Sequence, residues 1–262
     1  MRYALISDIH ANLPALEAVL EDIDRRRVDA TYHLGDLVGY APWPNEVVAL
    51  LAAKGTEGVA GNYDSTVATD YPHCGCKYED PHQEALSHLS YDWTRRHVTV
   101  ETKQALARLP FRIDVRPTGG HAGGPTLALV HGAPTVNTLY WTEDRPDDFC
   151  SKMARIAGLK PGDAIAFGHT HKPWSREVAG IHFVNTGSVG RPKDGDSRAG
   201  YPLLELDPSG ARVEFVRVAY DVERAARAIR ESDLPDDFAE YLLTGGAEPS
   251  SGVSARSERV SG

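Results

Sequence analysis

The stretch Tyr3-Ala4-Leu5-Ile6-Ser7-Asp8-Ile9-His10-Ala11-Asn12-Leu13-Pro14-Ala15-Leu16 carries the reading that decides the fold. Four apolar residues predict a short strand, the Asp-x-His-x-Asn run a loop, and Leu13, Leu16, Val19, Leu20 and Ile23 recur at helical spacing. Asn12 suits the N-cap because its side chain can accept a first-turn N–H, and Pro14 suits that turn because it has no N–H to lose. Arg25-Arg26-Arg27 meets the negative end of the helix dipole. The unit then repeats. Ala30–Leu34 reads as a strand, Gly35-Asp36 as a turn, and Pro44 to Lys54 as a helix with Val47, Leu50 and Leu51 inward and Gly55 at its stop. Gly58-Val59-Ala60 is a third strand running into Gly61-Asn62-Tyr63-Asp64. Strands that alternate with helices in this way predict a parallel βαβ half.

Residues 65–98 break the rhythm. They are rich in His, Tyr, Asp and Pro, contain Cys74-Gly75-Cys76, and read as an irregular insertion that leads into a helix near Gln83–Arg96. A second helix, capped by Thr99 or Glu101, ends at Leu109, where Pro110 stops it. Phe111–Val115 and Thr126–Val130 read as strands joined by the Gly/Pro-rich loop Arg116–Pro125, and Pro146–Ala157 as a helix. Ala164–Phe167, Trp174–Val178, Ile181–Val184 and Tyr201–Asp207 are strand-like. Asp207-Pro208-Ser209-Gly210 is a hairpin signal returning through Ala211–Tyr220, before a helix over Val222–Glu231.

The whole chain has 262 residues, 41% hydrophobic, with 28 Lys and Arg against 37 Asp and Glu, a net charge of 28 − 37 = −9. Roughly 100–200 residues per domain allows one large domain or two small ones. Strand ends that feed one crevice favour a single domain over 1–246 with a lid-like insertion at 65–98. Residues 247–262 lack aromatic and periodic apolar character and read as a disordered tail. No stretch approaches the ~20 apolar residues of a membrane helix, and Asp8 comes too early for a signal peptide. The expected compartment is the cytoplasm, without a membrane partner. Cys74, Cys76 and Cys150 are too few for a disulfide framework. The acidic balance disfavours extended nucleic acid held by basic patches. It leaves phosphate chemistry open if a metal supplies the positive field.

Asp8 and His10 follow the first strand, Asp36 the second, Asn62 the third, His131 the run ending at Val130, and His169 and His171 the run ending at Phe167. Open α/β sheets place ligand crevices at the carboxyl ends of their strands. Carboxylates and imidazoles without thiolates suit Mn²⁺, Fe or Zn²⁺ rather than a structural zinc site. Taken singly, each residue has an ordinary explanation. Asp8 can be a cap, Asp36 a turn acid, Asn62 a turn residue after Gly61, and His131 a half-buried strand-end histidine.

In order, Asp8-Ile9-His10, Gly35-Asp36, Gly61-Asn62-Tyr63-Asp64, His131-Gly132 and Gly168-His169-Thr170-His171 resemble the signature of the calcineurin-like metallophosphoesterase superfamily, over about residues 3–220. Ser7 through Leu16 and Asn185-Thr186-Gly187-Ser188-Val189-Gly190-Arg191-Pro192 are similar to the opening and closing segments of its small bacterial and archaeal phosphodiesterase branch. The resemblance implies an α/β (α+β) four-layer αββα sandwich, two mixed sheets flanked by helices, with a dinuclear metal centre at the edge between the sheets. It assigns Asp8, His10 and His171 to one ion, Asn62, His131 and His169 to the other, and Asp36 as the bridge. The implied ions are Mn²⁺ first, with Fe, Zn²⁺ or Ni²⁺ as alternatives. Two carboxylates among seven ligands leave such a pair net positive on a −9 chain. The implied reaction is hydrolysis of a small phosphodiester or phosphomonoester by a metal-activated hydroxide, with Asp36, Asn62, Tyr63 and Asp64 as the catalytic set. A protein or dinucleotide-polyphosphate phosphatase is an alternative. A non-catalytic interaction scaffold is another, against which the full set of ligand positions weighs.

The chain departs from the pattern at Tyr63, where many members carry a His credited with contacting phosphate or protonating the leaving group. A Tyr, with an ordinary pKa of ~10, is a poor acid at neutral pH. Tyr63 orients substrate as a neutral donor, or His73 or His82 from the insertion replaces it, or the leaving group needs no acid. Arg191, Lys193 and Arg198 could touch phosphate or a neighbouring subunit of a homo-oligomer, or be a solvated basic loop. Cys74 and Cys76 could hold a third metal, form a redox pair or simply pack. Trp43, Tyr140 and Trp141 could stack a base or belong to the core.

Overall fold

The computed structural model describes residues 1–76, 80–116 and 124–247. The predicted tail, apart from Ala247, and most of the predicted loop at 116–125 lie outside the described residues. In the first sheet, β1 (Arg2–Ile6), β2 (Ala30–His33) and β3 (Glu57–Gly58) run parallel, and the hairpin β9 (Ala199–Asp207) and β10 (Gly210–Val218) is added antiparallel on the far side of β1, in the order β10-β9-β1-β2-β3. The second sheet has the order β4-β5-β6-β8-β7. Its parallel centre is β5 (Leu127–Leu129), β6 (Ala164–Phe167) and β8 (Ile181–Asn185), and its antiparallel edges are β4 (Ile113–Val115) and β7 (Trp174–Val178).

Side-chain alternation along these strands explains the layering. Successive strand residues face opposite sides. Tyr3 and Leu5 of β1 and Leu204 and Leu206 of β9 meet Leu127 and Leu129 of β5, Ala164 and Ala166 of β6 and Val184 of β8 in one buried cluster between the sheets. Their neighbours Ala4, Ile6 and Leu203 face the other way, into a core shared with helices α1 (Leu13–Arg25), α2 (Pro44–Ala53), α3 (Asn62–Ala68), α4 (Pro81–His97), α5 (Val100–Ala107), α7 (Val222–Arg230) and α8 (Asp237–Thr244). Ala128, Ile165, Phe167 and Phe183 face outward against α6 (Asp147–Ile156), where Trp141 stacks on Phe167 with ring centroids 4.3 Å apart. Each large side chain buried in this way contributes roughly 1.5–3 kcal/mol. The result is the four-layer sandwich of two mixed sheets flanked by helices.

Local signals hold where they were specific. Asn12 caps α1 by accepting from Ala15 N, and Thr99 caps α5 by accepting from Thr102 N. Within the insertion the helix expected near Gln83–Arg96 is α4, Pro81–His97, which sends Leu86, Tyr91 and Trp93 into the core; residues 65–68, read as irregular, belong to α3. Asn62, whose ordinary reading was a turn residue, instead opens α3, where the Asp64 carboxylate accepts from Gly61 N at 2.9 Å. Helix α8 had no prediction, because Phe238, Ala239 and Leu242 supply only two turns of periodicity. Its left-handed stop at Gly245 was readable.

Candidate metal centre

Every loop that carries a proposed ligand leaves a strand at its carboxyl end and turns sharply. Asp8, His10, Asp36, His169 and His171 all have positive φ, between 48° and 67°. That left-handed region costs a non-glycine residue about 1–2 kcal/mol, and such residues persist where the surroundings over-determine them. Here the loops lock one another. Asp8 N donates to Gly35 O at 3.0 Å, His10 N to Asp36 O at 3.0 Å, Gly168 N to His131 O at 2.7 Å and Gly190 N to Asp8 O at 3.0 Å. Two glycines are required by close approach: a Cβ at Gly61 would strike the Asp36 carboxylate, and one at Gly168 would strike Ser7 Oγ and the Asp8 carboxylate.

The turns gather two buried donor groups, Asp8 with His10 and His171, and Asp36 with His131 and His169, whose ligand atoms lie within 4.8 Å of one another in each group. In the first, His171 Nε2 lies 3.2 Å from Asp8 Oδ1 and 3.1 Å from His10 Nε2. In the second, His131 Nε2 lies 3.4 Å from Asp36 Oδ2. That same Oδ2 is 3.8 Å from His10 Nε2, so it stands between the groups. Asn62 joins the second group through Oδ1, 3.1 Å from His131 Nε2. Its amide nitrogen donates to Cys74 O at 3.1 Å and Cys76 Sγ at 3.2 Å, which fixes the direction of the oxygen.

Backbone carbonyls orient the imidazoles. Nδ1 of His10 meets Val38 O at 3.1 Å, that of His131 meets Leu34 O at 2.7 Å, and that of His171 meets Arg191 O at 2.6 Å. A carbonyl can only accept, so each Nδ1 carries a proton and each Nε2 points inward; on His10 and His171 it presents a lone pair, whereas on His131 it faces the Asp36 carboxylate and carries a second proton in the metal-free chain. Asp8 Oδ2 is held by the Ser7 hydroxyl and by His169 N, whereas Asp8 Oδ1 and His169 Nε2 are buried without a hydrogen-bond partner. Orphaned acceptors are costly in a protein interior and fit a cation. The donor set therefore passes the test for hard or borderline metal ions.

Burial holds the His10 and His169 pKa values down to about 3, with like charge on His171 and His131 adding to the effect, and it pushes His171 well down. Burial opposes charge on His131 too, but Asp36 carries it up to about 10. Burial would raise Asp36, but the charge of His131 and its hydrogen bond hold the carboxyl well below the usual range. Asp8 is raised by burial, as is Asp64, to about 7, where neighbouring Asp36 adds to the effect.

Asp64 is buried, and its two oxygens accept from Leu37 N and Gly61 N at 2.9 Å each, so it ties the second and third ligand loops together. The Tyr63 ring borders the cleft against His10, but its hydroxyl lies 3.2 Å from Ser87 Oγ in the interior, and its backbone N–H donates to Asp36 Oδ1 at 2.9 Å. His73 and His82 are not brought to the cleft. The first is exposed beside Tyr71, and the second is exposed in the first turn of α4 and pairs with Asp237. Arg191 and Lys193 line the cleft, and burial beside Arg191 lowers Lys193 to about 7. Arg198 is exposed and bound to Asp196. Tyr140 lies against His169, with ring centroids 4.5 Å apart, whereas Trp141 is core and Trp43 is half-buried against the helices. All three cysteines are free thiols, and among the described residues none belongs to a group of metal donors. Cys76 nevertheless borders the cleft.

Sequence reasoning missed Asn185, whose amide donates to Gly168 O at 3.0 Å and Thr170 Oγ1 at 2.9 Å and so braces the His169 loop. It also missed Tyr40 on the cleft wall and Tyr241 on α8, which stacks on Arg191. Tyr241 carried no signal, since its role depends on where α8 docks.

Residues 1–209 match the family model described as the calcineurin-like phosphoesterase superfamily domain. The chain is 32% identical to an uncharacterised protein of Methanocaldococcus jannaschii, over 92% of this chain and 97% of that one. It is 26% identical to the phosphodiesterase YfcE of Escherichia coli, over 79% and 89%. The crystal structure of a metallophosphoesterase from Sphaerobacter thermophilus aligns with a TM-score of 0.71 at 31% identity, covering 94% of this chain and all of that one. A hypothetical protein of Pyrococcus horikoshii shares the fold, with a TM-score of 0.78 at 23% identity over 95% and 99% of the two chains. No helix among the described residues is long and apolar enough to cross a membrane. With ligand loops at the strand ends and these relatives spanning nearly its whole length, the chain belongs to the calcineurin-like phosphoesterase superfamily, on the branch that includes YfcE, and is a metal-dependent hydrolytic phosphoesterase.

Proposed function

We propose that the chain hydrolyses small phosphoesters in the cytoplasm with two divalent ions, Mn²⁺ foremost, held by Asp8, His10 and His171 on one side and by Asn62, His131 and His169 on the other, with Asp36 as the shared ligand. The observation that carries this reading is the position of Asp36 Oδ2, 3.4 Å from His131 Nε2 and 3.8 Å from His10 Nε2. When bound, the ions lower the pKa of water toward neutrality and neutralise phosphoryl charge. The chain's own residues do the rest. The Nδ1 contacts to carbonyls turn each Nε2 toward the ions. Asp64 and the Tyr63 N–H hold the Asp36 and Asn62 loops in register, so both act as positioning residues. Arg191 and Lys193 bring positive charge to the cleft.

The test is a panel of aryl monoesters, aryl diesters, cyclic nucleotides and phosphopeptides, run on chelated protein resupplied with Mn²⁺, Zn²⁺, Ni²⁺ or Mg²⁺, with bound metal counted in parallel. The expected result is ester turnover that requires metal, with two ions per chain. Turnover by metal-stripped protein carrying Asp36→Asn and His169→Ala would refute the reading.

A further inference from the structure

Arg191 is 4% exposed, its Nε is buried without a partner, and among the described residues its guanidinium has neither a carboxylate nor a hydrogen-bond acceptor. A largely buried cation in that state is costly unless something pairs with it. Its setting is nonetheless built. The guanidinium lies between two tyrosine rings, 4.1 Å from the centroid of Tyr40 and 3.9 Å from that of Tyr241. Tyr40 is itself anchored, edge-on to His10 at 4.9 Å and to Phe238 of α8 at 5.2 Å. A guanidinium donates hydrogen bonds in its own plane, so its edge remains available for an anion while the two rings hold its position. The same residue's carbonyl accepts from His171 Nδ1, and its side chain borders the cleft with Lys193. Helix α8 and Tyr241 lie beyond the segment matched by the family model, which ends at 209.

We propose that Arg191, clamped by Tyr40 and by Tyr241 of the C-terminal helix, is an anion subsite beside the metal pair that selects dianionic phosphoryl groups, those of phosphomonoesters, over the monoanionic groups of diesters. This rests on the phosphoesterase reading above and deepens it. Two divalent ions against Asp8, Asp36 and one solvent-derived anion leave about one positive charge, enough for a diester. Arg191 adds a second, and a planar guanidinium edge can take two non-bridging oxygens at once. A diester has only two such oxygens, both wanted by the metals, whereas a monoester has a third to spare and one more negative charge to neutralise. Tyr241 touches neither substrate nor metal in this scheme and acts by holding Arg191.

The experiment uses the full chain loaded with Mn²⁺ and inorganic phosphate as the probe, titrated calorimetrically into wild type, Arg191→Met, Arg191→Lys and Tyr241→Leu, with Mn²⁺ affinity measured separately. KM and kcat are then compared for an aryl monoester and an aryl diester. The expected result for Arg191→Met is a phosphate Kd and a monoester KM about tenfold or more higher, with diester KM changed less than about threefold and Mn²⁺ affinity kept. Tyr241→Leu moves phosphate Kd and monoester KM in the same direction by about threefold with kcat unchanged, which general loosening of the fold would not do. Phosphate affinity equal in all four proteins, or monoester and diester constants that shift together, overturns the proposal. If wild type turns over neither ester, the phosphoesterase reading fails, while the phosphate titration still decides the role of Arg191.

Discussion

Asp36 and His131 face one another across the gap between the two sheets, the carboxylate from the loop after β2 and the imidazole from the loop after β5, with Oδ2 and Nε2 3.4 Å apart. Without metal they form a buried pair of opposite charge. With metal, the proton that makes that pair must leave.

Metal uptake is therefore expected to release protons. His131 titrates at about 10 in the metal-free chain, so at pH 7.5 it is protonated and must lose its proton to bind. Calorimetric titration of Mn²⁺ in buffers of different ionisation heats should show about one proton released from this residue, and affinity that rises with pH between 6 and 9.

The metal-free protein should be acid-labile. For His10 and His169 the folded pKa, about 3, lies below the ordinary value of 6.5. The unfolded chain then binds more protons between those values, and their contribution to stability is present above 6.5 and lost as pH falls toward 3. His131 has the opposite sign, its contribution being complete below 6.5 and lost as pH rises through about 10. Thermal midpoints of chelated protein should peak between these two windows. A midpoint that keeps rising below pH 6 would contradict the burial of neutral imidazoles.

Asp36→Asn should remove the ligand that stands between the two donor groups. Bound metal is expected to fall from two ions to at most one, and turnover by roughly a hundredfold or more. Elemental analysis alongside kinetics would separate metal loss from a purely chemical defect.

Tyr63→Phe should leave kcat within about threefold of wild type, because the hydroxyl meets Ser87 in the interior at 3.2 Å. Tyr63→Ala should destabilise by about 3–5 kcal/mol through the cavity left under His10 and Tyr91. A large loss in the Phe variant on substrates with poor leaving groups would restore an acid role to the hydroxyl.

Asp64→Ala should cost roughly 2–5 kcal/mol, since it strands the backbone N–H groups of Leu37 and Gly61 in a buried setting. Loss of metal affinity should accompany it, because those two loops carry Asp36 and Asn62. Denaturant unfolding and metal titration of the variant check both effects.

Much of this was legible in the chain itself. Strand alternation, the Asn12 and Thr99 caps and the glycine stops are local, and local chemistry decided them. The inventory of candidate donors was legible too, since Asp8, Asp36, Asn62, His131, His169 and His171 each follow shortly after a run that reads as a strand. What local pattern could not supply is direction and proximity. His10 and His171 are 161 positions apart, yet their Nε2 atoms meet at 3.1 Å because β1 and β6 deliver their loops to the same edge of two different sheets. Left-handed backbone at five candidate ligands, carbonyls that orient three imidazoles and a stacked Arg191 all depend on loops held by partners distant in sequence. Propensity acts over a few residues, whereas a donor cluster is built by packing, so strand-end spacing and the family resemblance singled out the candidate ligands while only the docking of sheets and helices decided where each one points.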